Sequence, residues 1–150
     1  MIAFLSALPA LGQGFSATAH ADAFVGALNA GNVTVLMEVS ADPLFFRNQQ
    51  WQSASDGSGF VLGQVKDETV KGKKQRKAFF RRLVGKVRVK KPEGSSAALS
   101  SFEKEELKGA CERWAGLELV VFTRGFGDIE HIALVGIDPQ SGKVAAFYVN

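Results

Sequence analysis

Residues 24–46 read FVGALNAGNVTVLMEVSADPLFF, and the fold follows from where this apolar run breaks and resumes. Over residues 18–29, Ala21, Phe24, Val25 and Leu28 recur at helical spacing, which predicts an α-helix. Gly31 tolerates the left-handed backbone that closes a helix, and Asn32 has a side chain suited to capping the next one. Val33, Leu36, Met37 and Val39 then resume the period. Two short helices meeting at a Gly-Asn corner are expected, not one rod. Asp42-Pro43 ends the second helix, because the residue before proline avoids helical backbone and proline lacks an amide donor.

An aromatic strand follows at residues 44–51 (LFFRNQQW), and residues 60–65 (FVLGQV) form its hairpin partner across the turn-rich SASDGSG. Residues 73–87 place Phe79, Phe80, Leu83, Val84 and Val87 on one helical stripe, with Lys74, Lys77, Arg81 and Arg82 elsewhere around the wheel. This predicts an amphipathic helix with a basic outer face, followed by a short lysine-guarded edge strand at 86–91. After the linker-like PEGSS, residues 102–114 present Phe102, Leu107, Ala110, Cys111 and Trp114 as another helical stripe. Residues 117–124, 129–138 and 143–149 are β-branched and aromatic runs separated by GFGD and PQSG, and they predict an antiparallel meander. The class is α+β, with helices packed on a curved antiparallel sheet.

A chain of 150 residues with 46% hydrophobic content buries a core without metals or disulfides, so residues 22–150 are expected to form a single domain. Cys111 is the one cysteine and there are two histidines, which excludes an intramolecular disulfide and any multi-cysteine or histidine-rich metal site. No glycine-rich phosphate loop or metal-ligand spacing is present, and no cofactor is expected. No run of about 20 apolar residues spans a membrane.

The net charge of +3 conceals an asymmetry along the chain. Residues 66–91 carry +10 and the remainder −7. A basic segment attracts phosphates or anionic lipids, and it is also what the solvated face of a helix looks like. Readers of single strands interleave cations with exposed aromatics. Here Phe79 and Phe80 belong to the apolar stripe, so no specific nucleic-acid partner is expected.

Residues 1–21 comprise an apolar run (Ile2 to Leu11) and a small-residue stretch ending Ala19-His20-Ala21. That ending matches the A-x-A pattern of a secretory signal and would release a chain starting at Asp22, although the usual preceding basic residues are absent. A periplasmic or secreted protein is the expectation; the alternative is an N-terminal helix or tail on a cytoplasmic one.

Two stretches resemble the nuclear-transport-factor-2-like superfamily, a cystatin-like α+β cone. AFVGALNAGNVTVLMEVSADPLFF is similar to that family's opening helices and first strand, and ALVGIDPQSGKVAAFYV to its closing hairpin. The resemblance implies a cone-shaped pocket for a small hydrophobic ligand, with the helix at residues 102–114 as an insertion. A second resemblance accounts for that helix directly. VFTRGFGDIEHIALVGIDPQSGKVAAF is similar in rhythm to the end of nuclease-A-inhibitor-like proteins, which bind a partner enzyme. That implies an interaction or inhibitor module using the sheet face or the basic helix.

Three residues are candidates for the pocket. His131 shares a strand face with Ile129, Ala133 and Val135, where a histidine serves as acid or base in a cavity, as a hydrogen-bonded core group, or on the face of a homodimer. Trp51 and Tyr148 combine apolar bodies with one polar tip, which suits a pocket wall or a core. No motif assigns a catalytic role to any residue. Arg47 and Arg124 are set to face either an anionic ligand or water.

Overall fold

The computed structural model describes residues 16–90, 104–105, 112–124 and 131–150, with the side chains of 51–53 and 60–62 outside that description. Three helices and a five-stranded sheet make up the described chain, so the class is α+β.

Helix α1 (Ala17–Ala30) begins where the Ser16 hydroxyl accepts from the Ala19 amide at 3.1 Å. It ends at Gly31, whose φ of 72° is left-handed, with the Gly31 and Asn32 amides donating back to Leu28 and Ala27. The Asn32 side chain then accepts from the Val35 amide at 3.1 Å and starts α2 (Val33–Val39). The corner in the sequence is thus a double cap, closing one helix and opening the next.

Strand β1 (Ser40–Ser53) starts at the residue that ends α2, earlier than the sequence predicts, and includes Pro43. The reason lies in the pairing. Its ladder with β5 shifts register between Ser40 and Phe45, and its ladder with β2 begins at Leu44, so the donor that Pro43 lacks has no ladder bond to supply. The Asp42-Pro43 peptide is cis. Strand β2 (Phe60–Val70) runs five residues beyond its predicted end and leads into α3 (Gly72–Leu83). Asp42 accepts from the Gly72 amide at 2.9 Å, placing a carboxylate at the start of α3.

Strands β3 (Glu118–Thr123), β4 (Ile132–Ile137) and β5 (Val144–Val149) form the antiparallel meander that the sequence predicts. The sheet order is β2-β1-β5-β4-β3. One expectation is corrected. The sheet is mixed and not wholly antiparallel, because β5 returns to lie parallel to β1 at its centre. The predicted edge strand after α3 is reduced to one bridge between Lys90 and Thr123, while Val87 and Val89 turn into the core. Of the helix predicted at residues 102–114, most lies outside the described residues, and Glu112–Trp114 is a single 3-10 turn.

Both sheet faces are covered. On one, Phe46, Ala133, Val135, Phe147 and Val149 pack against Phe24 and Leu28 of α1, Leu36 of α2, and Phe79, Phe80 and Leu83 of α3. On the other, Phe45, Ile132, Leu134, Ala146 and Tyr148 pack under Trp114. Gly136 makes that cover possible, because a Cβ there would lie 2.9 Å from Leu117 and 3.3 Å from the Trp114 ring. All six residues of β4 are buried as a result.

His20 is buried on α1, and burial pushes its imidazole below the ordinary value of 6.5. The folded protein therefore takes up a proton there less readily than the unfolded chain, which does so as pH falls past about 6.5. Stability from this group is complete above that value and declines below it. Urea midpoints measured between pH 7.5 and 5 should fall with acidity, and His20→Gln should flatten the decline. An unchanged slope in the variant would assign the pH dependence to other groups.

Candidate functional site

The feature nearest to a site is a cleft of ≈ 270 Å³ between the end of α3 and the helix-side face of the sheet. Its lining includes Phe46, Phe79, Leu83, Val87 and Val149, which form an apolar wall continuous with the core. The remaining lining residues are polar: Asn48, Glu68, Arg82, Lys86 and Arg124. Three cationic side chains thus meet one carboxylate.

Local structure fixes each of them. Arg82 lies in the last turn of α3, where a cation complements the helix dipole. It donates to Glu68 on β2 at 2.7 Å and lies 5.6 Å from the Phe79 ring centroid, so that cation and that carboxylate already satisfy one another. Gly85, with φ of 84°, turns the chain after α3 and sets Lys86 at the rim. Arg124 follows β3, and its backbone amide donates to the His131 carbonyl at 2.7 Å, extending the β3-β4 ladder by one pair. Its guanidinium is half-buried, donates through Nη1 to the Asn150 main-chain oxygen at 3.0 Å, and leaves Nε buried without a partner. Burial pushes this guanidinium down from the ordinary arginine value.

The sequence candidates separate in space. His131 is half-buried just before β4, opposite Arg124, so strand alternation gives it the helix-side face that it shares with Ala133 and Val135. It neighbours the cleft without lining it. Tyr148 lies on the opposite face, fully buried, with its ring centroid 6.4 Å from that of Trp114. It belongs to the second core and not to the cleft wall. Trp51 sits at the β1-β2 register shift beside Gln50, and its side chain lies outside the described residues. Arg47 is paired within the sheet. It forms a bidentate pair with Asp67 at 2.7 and 2.9 Å, and this hydrogen bonding holds the Asp67 carboxyl below the usual range.

Arg82, Lys86 and Glu68 went unrecognised as one group in the sequence, because they were absorbed into the charge of residues 66–91. The available signal was position: Arg82 and Lys86 flank Leu83 and Val87, the last members of the apolar stripe. The rest of that charge behaves differently. Lys73, Lys74, Lys77 and Arg81 are exposed, while Phe79 and Phe80 are buried and supply no stacking platform. Arg76 is the exception on α3, buried against α2 with Nη2 donating to the Met37 carbonyl at 3.1 Å.

No group of three or more potential metal ligands occurs among the described residues. No described helix is long and apolar enough to cross a membrane. Comparison with known proteins finds no matching family, no matching curated protein and no matching solved structure.

Proposed function

We propose that this protein is a small-molecule-binding domain whose ligand occupies the cleft between α3 and the sheet. The observation that carries this reading is a cleft in which Phe46, Phe79, Leu83, Val87 and Val149, each largely buried, meet convergent polar groups. Ligand sites combine these two features, and their volumes run from about 300 to 1,000 Å³. A cleft of ≈ 270 Å³ lies just below that range, so the ligand is compact. Membership of the nuclear-transport-factor-2-like superfamily is part of the same proposal, supported by the order helix, helix, hairpin, helix, meander. An exported location is a further part, supported by the apolar run of residues 2–11; the A-x-A at residues 19–21 lies inside α1, with His20 and Ala21 buried, and does not add to that support.

The rival reading, an interaction module using the sheet face, has less support. The outward face of β4 and β5 is occupied by the chain's own Trp114, and Val65 is the one large exposed hydrophobic side chain among the described residues.

Filling the cleft tests the proposal. Asn48→Trp places a large ring in the cleft beside Val149 without replacing any residue of the apolar wall. The neutral fluorescent probe N-phenyl-1-naphthylamine should bind the unmodified protein saturably and lose most of its affinity for the variant at unchanged thermal stability. Equal binding to both proteins would place the probe elsewhere and remove the cleft as the site.

A further inference from the structure

Resting on the cleft-binding reading, we propose that the ligand is a small carboxylic acid with an apolar body, its carboxylate received by Lys86 and Arg124. Charge is the first argument. Among the described side chains that line the cleft, Glu68 is the only acid, and its partner is Arg82 at 2.7 Å. Lys86 and Arg124 have no acidic side chain among the described lining residues to neutralise them. Arg124 is half-buried with the Asn150 oxygen as its acceptor, and Lys86 stands exposed at the rim, so a neutral ligand would leave the positive excess of the cleft unanswered.

The second argument is the state of Arg124. A guanidinium offers five donors in a planar fork that matches a carboxylate. Here Nη1 has the Asn150 main-chain oxygen, while Nε is buried with no hydrogen-bond partner. The residue thus bears the cost of desolvation with its hydrogen-bonding capacity partly unused. An anion in the cleft offsets that cost through the guanidinium charge. A cation would meet two like charges.

The third argument fixes the rest of the molecule. Phe46, Phe79, Leu83, Val87 and Val149 line the same space, and a bare inorganic anion makes no use of the apolar surface they still present there. Burying an apolar body there contributes roughly 25 cal/mol per Å² of area removed from water. Phe79 and Leu83 come from α3, Lys86 and Val87 from the turn after it, Phe46 from β1, Val149 from β5, and Arg124 follows β3. A molecule that carries both a carboxylate and hydrocarbon is the complement of this lining.

A matched set of probes separates the parts of the argument. Amide spectra of isotope-labelled protein are recorded during titration with 3-phenylpropionate, 3-phenylpropan-1-ol, phenyl phosphate and inorganic phosphate. The expected result is saturable movement of the Asn48, Lys86 and Val149 amides with 3-phenylpropionate, and affinity at least tenfold weaker for the alcohol. Lys86→Gln and Arg124→Gln should each weaken the acid by roughly 10- to 100-fold, the range for a lost hydrogen bond to a charged group, with the alcohol unaffected. Arg124→Lys should restore part of the loss. Lys86 is exposed, so its variant folds even where loss of the Arg124 contact to Asn150 disturbs the C-terminal strand.

Equal binding of acid and alcohol at these amides would overturn the carboxylate inference and leave the cleft reading standing. Tighter binding of phenyl phosphate would replace carboxylate by phosphate ester. Tightest binding of inorganic phosphate would overturn the requirement for an apolar body. Failure of every probe to move these amides would overturn the cleft reading itself.

Discussion

Replacing Trp114 by alanine should cost about 3–5 kcal/mol of folding stability, the range for deleting a large buried aromatic. Trp114 is completely buried although it belongs to only a single 3-10 turn. Its ring meets Phe45 at 6.0 Å and Tyr148 at 6.4 Å, both edge-on, and it covers the bare backbone of Gly136. Arg113 beside it lies over the Phe45 ring at 5.1 Å and donates to Thr69 at 3.2 Å, fastening the same turn across β1 and β2. Removal of the indole exposes the outer face of the sheet as well as creating a cavity. The loss should therefore appear in chemical denaturation together with an increase in dye binding to exposed apolar surface. Trp114→Phe should cost much less, since the indole Nε1 is buried without a hydrogen-bond partner and nothing polar is lost with it. A loss below about 1 kcal/mol for the alanine variant would show that the turn is a loosely held flap and not a core element.

The helical half of the fold was legible because its signals are local. Gly31 and Asn32 act through their own backbone and side chains, within five residues of the contacts they make. The start of β1 was less legible, since the permission for Pro43 to sit in a strand comes from ladder shifts with partners far along the chain. The parallel pairing of β1 with β5 has no sequence mark at all. It is decided when both strands compete for the centre of one sheet, where burial on both faces favours apolar runs over alternation. Cover on both faces of β5 also explains why Tyr148 could be read as pocket wall or as core. A large amphipathic side chain in a strand reads the same whether the face above it is open or covered by Trp114. The cleft residues were hidden for an opposite reason. Arg82 and Lys86 belong to a segment so basic that charge alone did not distinguish the cations facing an apolar wall from those facing water.

Phe147→Ala should be comparably destabilising, by about 3–5 kcal/mol, and it probes the opposite layer. Phe147 is fully buried on β5, the strand that joins the meander to the hairpin. Its ring stacks on Phe46 of β1 at 5.8 Å and meets Phe24 of α1 edge-on at 5.3 Å, and Phe24 in turn meets Phe80 of α3 at 6.2 Å. One ring thus couples the parallel β1-β5 pair to two helices. The surroundings are β-strand backbone and other aromatics, which collapse poorly into a void, so most of the cavity cost should persist. Phe147→Leu should recover part of the loss by refilling volume while giving up the ring contacts. Hydrogen exchange distinguishes a layer defect from general loosening. Amides of α1 and α3 should lose protection in step with those of β5 in Phe147→Ala if this ring is the joint between them. Protection lost from β5 alone would show that the helices hold one another, through Phe24, Phe79 and Phe80, independently of the sheet.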